Sequence, residues 1–477
     1  MVPTTLKNKG VELLDQGKWA GGFIRPSMLK SEIDFKKMAG IYYGEIKKLY
    51  GSDIHYFAGD PFHEGGNSNG IDVADYGKLI QTEMQKYFPN STWVLQGWQS
   101  NPSSKLLSKL DKSKVLVQEL FGENTQNWLT RKGYEGTPFI WCTVTNFGEK
   151  SGLYGKLQRI ANEVYKANTS EYSIYMKGVG TMAEGVHNNS VLFDFIFDMG
   201  WHSEKVEVTN WIKSFVTARY GTNNKKVQEA WQGFISTVYS SFDKLQEGPN
   251  ESVFCARPST KVTGASTWGT RARNYDVDKF KEAVKLFVSA SAEMKNSTTF
   301  QIDKIDFVRQ VLSNKGEYAY KDMIEAFEKK DLDQFTKTSS AFLSLIKMQD
   351  DLLSSNEHFQ LYSWLKQAND FGKTSIEKDL ALKNAKMLVT YWGGPNGPKS
   401  TLHDYSNREW NGLMRNFYLP RWEMFVDDCL AKLKGENTTE PDYYKFETNW
   451  CTKPDLYKPT KIASTQVNVL VEQILNK

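Results

Sequence analysis

The sequence predicts an α/β half followed by an all-α half: (β/α) units of a TIM-type barrel over residues 1–200, then a mostly helical domain over 201–477. Two patterns lead to this reading. Short apolar runs alternate with helical segments over the first 200 residues, which indicates a parallel sheet with helical crossovers. From about residue 201 strand signals nearly vanish and stripes of 3.6-residue period take over.

Five runs read as strands: IHYFAG (54–59), TWVLQGW (92–98), KVLVQELFG (114–122), PFIWCTV (138–144) and YMKGVGTM (175–182). Runs this apolar suggest burial on both sheet faces. AGGFI (20–24) is a candidate sixth. Between the first two runs, residues 73–87 carry Val73, Tyr76, Leu79, Ile80 and Met84 on one helical stripe. In the second half, Val227, Trp231, Phe234, Ile235, Val238 and Phe242 share a face, as do Ile305, Val308 and Leu312, and similar stripes recur near 318–330, 338–353, 376–392 and 408–434. The Pro- and Gly-bearing stretch 248–275 reads as a long connection, and connections of that length are functional or disordered. Trp268 and Tyr275 within it favour an ordered, functional one.

The net charge of +4 and the absence of a Lys/Arg stripe give no reason to expect a nucleic-acid partner. No apolar run is long enough to span a membrane, so no membrane partner is expected. Six histidines and four scattered cysteines (Cys142, Cys255, Cys429 and Cys451) make a metal site improbable, and neither a metal nor a cofactor is expected. The cysteine spacing does not support disulfides. Aromatic residues reach 13%, with 14 Trp and 23 Tyr. That excess fits a large aromatic core or a surface that stacks on sugar rings.

Active sites of this barrel lie at the C-terminal ends of its strands. Polar or aromatic groups stand at all five ends: Glu64 after the first run, Gln96 and Trp98 at the second, Glu123 after the third, Asn146 after the fourth and Glu184 after the fifth. Two carboxyl groups flanking a scissile bond are what glycoside hydrolysis requires. Glu64 and Glu123, following neighbouring strands, suit the pair, although most loop glutamates are merely solvated.

The segments GKWAGGFIRP (17–26), DPFHEGG (60–66), WVLQGW (93–98), LFGEN (120–124), PFIWCTVTNFG (138–148), GVGTMAEG (178–185), FDMGW (197–201), STWGTRARNYD (266–276) and HDYSNREWNGLMRNFYLPRWEMF (403–425) together resemble the α-N-acetylglucosaminidases of glycoside hydrolase family 89. The resemblance implies a retaining exo-glycosidase acting on glycans that end in α-linked N-acetylglucosamine, with Glu64 as acid/base and Glu123 as nucleophile. It places Trp98, Trp141, Asn146, Glu184, Trp268 and Tyr275 in segments that line the sugar pocket. For Trp141, a core position is an equally good reading. The resemblance also suggests a lysosomal, secreted or periplasmic setting. The sequence departs from the human-type pattern at Thr145, where that pattern has histidine, and at Glu149, where it has glycine. Family members carry a small α/β domain and the first barrel strands ahead of the matching region. The chain is therefore expected to hold the C-terminal part of the barrel. A missing N-terminal portion of the same enzyme is an expected partner, and an inactive fragment or sugar-binding subunit is the alternative function.

Overall fold

The computed structural model describes residues 1–20, 22–240, 248–267, 269, 271–392, 402–460 and 462–476. Two compact units are present. The first comprises Met1–Val144, Arg159–Met182 and Phe193–Val206; the second comprises Thr145–Gln158, Ala183–Leu192 and Glu207–Lys477.

The first unit opens with four two-residue strands, β1 (Leu13–Leu14), β2 (Lys18–Trp19), β3 (Phe23–Ile24) and β4 (Met28–Leu29). They pair antiparallel as β1–β4 and β2–β3. The run at 20–24 is thus half of a small hairpin and not a sixth barrel strand. Phe23 and Ile24 pair with Trp19 and Lys18 and not with the five-stranded sheet, and Ile24 is 75% exposed. Five parallel strands follow in sequence order: β5 (Tyr56–Ala58), β6 (Thr92–Gly97), β7 (Val115–Glu119), β8 (Phe139–Thr143) and β9 (Met176–Thr181). All five expected strands are present.

Their burial differs from the expectation. β6 and β7 alternate: Trp93, Leu95, Val115 and Val117 are buried, while Val94, Gln96, Leu116 and Gln118 are half-buried. The outer strands are more open still, and Tyr56 in β5 is 66% exposed. Apolar content alone does not distinguish a strand buried on two faces from one buried on a single face at a sheet edge.

The crossover helix Val73–Tyr87 starts where Asp72 accepts hydrogen bonds from the Ala74 and Asp75 amides, the usual way to satisfy orphan N–H groups at a helix start. Its buried face carries Ala74, Tyr76, Gly77, Gln81 and Met84.

The second unit contains the helices Val208–Tyr220, Lys225–Ile235, Val277–Ser289, Thr298–Glu328, Leu332–Leu353, Leu361–Phe371, Ser375–Leu388, Leu419–Leu433, Tyr443–Cys451 and Ser464–Asn476. The stripes expected at 303–313 and 318–330 lie on one 31-residue helix. The stripe begun at Val227 ends earlier than expected, at Ile235, and Phe242 lies outside the described residues. Phe234 is the hub of an aromatic core, with ring centroids 4.3 Å from Phe307, 5.5 Å from Trp231 and 5.8 Å from Phe280. All four cysteines are buried and free.

Candidate active site

Glu64 sits on the turn after β5, and the backbone there is unusual. Phe62 and Glu64 have φ of 64° and 49°, and Gly65 follows at 81°. Left-handed φ in non-glycine residues is uncommon and clusters where structure over-determines it. A Cβ at Gly66 would overlap the Phe62 backbone, so only glycine lets the turn close so tightly. The turn aims the carboxylate between two indoles: Trp98 Nε1 donates to Oε1 at 2.8 Å and Trp19 Nε1 donates to Oε2 at 2.6 Å. Arg25 donates to the His63 and Glu64 carbonyls and fixes the backbone. Trp98 is half-buried at the end of β6 and packs on Phe121, with centroids 5.7 Å apart.

Beside this turn lies a cavity of about 270 Å³, lined among others by Arg25, Phe57, Asp60, His63, Tyr76 and Trp93. Asp60 accepts from the Gln96 amide at 2.7 Å and so ties the β5 turn to β6. Burial raises its pKa, against the pull of that amide and of His63.

Glu123 is enclosed. Its side chain is 0% exposed, and Oε1 accepts from the Val144 amide at 3.1 Å. Arg159 donates to its backbone carbonyl. The carboxylate ties the segment after β7 to the end of β8 and presents no surface to a ligand. Trp141 is also 0% exposed, packed where a Cβ on Gly122 would overlap its indole. Trp141 is thus enclosed in the core beside Gly122. The preceding Glu119 is likewise buried, and it caps the Asn127–Thr130 turn by accepting from the Asn127 and Trp128 amides at 2.8 and 2.9 Å.

In the second unit, Asn146 and Glu184 come together. Asn146 Oδ1 accepts from the Glu184 amide at 3.0 Å, and its Nδ2 donates to the Gly185 carbonyl. Asn146 is buried, whereas Glu184 is exposed. Glu184 Oε2 accepts from the Gly148 amide at 2.6 Å and the Tyr405 hydroxyl at 2.8 Å. Tyr275 is half-buried. Its hydroxyl donates to Asn314 Oδ1 at 3.1 Å, its ring meets Phe280 edge-on, and burial raises its pKa. Trp268 lies outside the described residues.

Sequence reasoning missed Trp19, Arg25 and Tyr405. Each stands in a segment that carries the family resemblance, but each meets its glutamate across at least 38 positions. No local pattern reports such a meeting.

Alternating parallel strands and helices, a carboxylate gripped by indoles at a strand's C-terminal end, and a helical second half define the class of (β/α)-barrel proteins with an α-helical C-terminal domain. The sequence profile of the alpha-N-acetylglucosaminidase (NAGLU) tim-barrel domain matches residues 1–203, and that of the NAGLU C-terminal domain matches residues 211–477. The chain belongs to the alpha-N-acetylglucosaminidase family. It is 28% identical to human alpha-N-acetylglucosaminidase over 406 residues, which is 82% of this chain and 53% of the human protein. It is similar in structure to the family 89 glycoside hydrolase from Clostridium perfringens in complex with PUGNAc: TM-score 0.94, 33% identity, 99% of this chain and 55% of that one. A second structure from that organism carries two glutamate-to-glutamine substitutions and is in complex with its substrate GlcNAc-α-1,4-galactose. It matches at TM-score 0.94 and 32% identity over 100% of this chain and 55% of that one. The chain spans about half the length of the relatives it matches.

Proposed function

We propose that this chain contributes the catalytic carboxylates of a retaining exo-α-N-acetylglucosaminidase that releases terminal α-linked N-acetylglucosamine from glycans. The observation that carries the proposal is the family match across both halves of the chain. Glu64 is the acid/base. It follows a strand end, is half-buried, and rides a glycine turn that leaves room for substrate.

For the nucleophile we read Glu184 in place of Glu123. A nucleophile must touch the anomeric carbon; Glu123 has no exposed surface and Glu184 has. The spacing supports the same choice. The two glutamates replaced in the C. perfringens substrate complex are separated by nearly the Glu64–Glu184 interval, about twice the Glu64–Glu123 interval. Glutamine keeps the shape of glutamate but neither protonates a leaving group nor attacks a carbon, which is how a substrate is trapped intact.

In this reading Glu64 protonates the glycosidic oxygen while Glu184 attacks the anomeric carbon, giving a β-linked glycosyl ester. Glu64 then takes a proton from water, which displaces Glu184 and restores the α configuration. The Gly148 amide and the Tyr405 hydroxyl orient the attacking carboxylate.

A closed barrel of this type has eight strands, and the described residues hold five in a sheet whose edges are β5 and β9. We read the remaining strands as supplied by polypeptide outside these residues, on the same chain or a partner subunit. The open edges also favour the second reading, a sugar-binding subunit without turnover.

The test is an aryl α-N-acetylglucosaminide assay of this chain, alone and with the family's N-terminal portion added. Glu184→Ala should abolish turnover, and azide should restore it as the β-glycosyl azide. Glu64→Ala should keep the first step with a good leaving group and yield the α-azide. Normal turnover by Glu184→Ala overturns the nucleophile reading, and no turnover by the complemented parent leaves the second reading standing.

A further inference from the structure

Glutamate at position 149 is out of place on backbone grounds. It follows Gly148, and both are left-handed, with φ of 66° and 55°. Glycine meets that demand without strain, so what glutamate adds is its carboxylate. Oε1 accepts from the His187 amide at 2.8 Å and faces His187 Nδ1, while Oε2 pairs with Arg408 Nη2 at 2.8 Å. The ion pair is nearly buried, with side chains 11% and 7% exposed. Arg408 Nη1 also donates to the carbonyls of Gly148 and Ser406. Gly185, next after Glu184, packs so close that a Cβ there would overlap the Glu149 carboxyl. His358 Nε2 donates to the His187 carbonyl at 2.8 Å and closes the arrangement from the helical side. Asp306 and Arg309 line the same small cavity.

These contacts form a ring. The Gly148 amide holds Glu184, Arg408 holds the Gly148 carbonyl and the Glu149 carboxylate, and that carboxylate holds the loop three residues beyond Glu184. We propose that Glu149 is a positioning residue that fixes the Glu184 carboxylate by locking the Gly148–Glu149 turn to the Gly185–His187 backbone. The proposal rests on Glu184 being the nucleophile. The lock itself does not, and the two are tested separately.

The experiment compares Glu149→Gly, which suits the backbone, and Glu149→Gln, which keeps the volume, with the parent in the full chain. The readout is amide hydrogen exchange at Gly148, whose N–H reports the Glu184 contact. Loss of the lock should speed that exchange about tenfold, the scale of one hydrogen bond released. Amides of the Thr298–Glu328 helix should not change. His187→Ala, which removes the ring contact to Glu149 but keeps the His187 amide contact, should have a smaller effect. Unchanged Gly148 exchange in both Glu149 variants overturns the proposal. In the catalytically competent enzyme kcat should fall tenfold or more with KM held, since an ångström of misplacement costs about 10²-fold. A change confined to KM also overturns it. Normal activity in Glu184→Gln would instead remove the nucleophile reading, whatever the exchange result.

Discussion

A carboxylate with an indole N–H on each oxygen has one orientation. At Glu64 those donors are Trp98, contributed by the end of β6, and Trp19, contributed by the small β2–β3 hairpin. Removing one donor should leave the fold intact and let the carboxylate turn. Trp98→Phe and Trp19→Phe are each expected to lower kcat by about tenfold, the worth of roughly one charge-assisted hydrogen bond, while chemical denaturation midpoints stay near the parent's. A kcat equal to the parent's in both variants would mean that the indoles do not orient Glu64. This part of the site was half legible. Glu64 and Trp98 could be read from strand ends, because strand periodicity and glycine turns are local signals. Trp19 could not, because a hairpin docking 45 positions away leaves no local trace. The burial of Glu123 was not legible for a related reason. A glutamate after a strand looks the same in sequence whether it faces a ligand or ties two strand ends together, and its burial is decided by Val144 and by packing.

At the level of elements, β7 ends on a second buried glutamate, Glu119, which sequence reading passed over within the run KVLVQELFG. Burial pushes Glu119 up to about 8, against the two amides it caps and the Tyr134 hydroxyl. Because its folded-state pKa lies above the ordinary carboxylate value, the folded state binds the extra proton between those two values. Stability should therefore fall as pH rises through that window, by at most ~1.4 kcal/mol per pH unit for one proton. Glu119→Gln should flatten that part of the stability–pH curve, as read by urea unfolding at pH 5, 6.5 and 8. An unchanged slope in the variant would show that Glu119 is not the group responsible. The five strands themselves were legible because each is a bounded apolar run. Their edges were not: Tyr56 in β5 is as apolar in sequence as Trp93 in β6, yet one is 66% and the other 2% exposed.

Across the whole molecule, the aromatic excess is largely explained by core. Trp128, Trp141, Trp231, Trp422 and Trp450 are fully buried, and only Trp98 and Trp19 among the tryptophans discussed touch a candidate catalytic group. The second unit is also organised by charge. Arg421 is completely buried between Asp404 and Glu447, at 3.0 and 2.8 Å, and Arg257 holds the other side of Glu447 at 2.7 Å. Arg421→Ala removes the buried cation that Asp404 and Glu447 share, leaving Glu447 to Arg257 and Asp404 to His403, and should cost about 3–5 kcal/mol, measured by denaturant unfolding of that unit; a cost below 1 kcal/mol would mean that those remaining partners suffice. The motif HDYSNREW hinted at this segment's importance but not at its chemistry, since Asp404 and Arg421 lie 17 positions apart and Cys255 and Glu447 complete the network from elsewhere. The central claim is the identity of the nucleophile, and one measurement addresses it directly: a slow fluorinated α-N-acetylglucosaminyl fluoride is incubated with the catalytically competent enzyme, and the glycosylated peptide is sequenced by mass spectrometry. The label is expected on Glu184, in the peptide bearing GVGTMAEG. A label on Glu123, in the peptide bearing LFGEN, would contradict it.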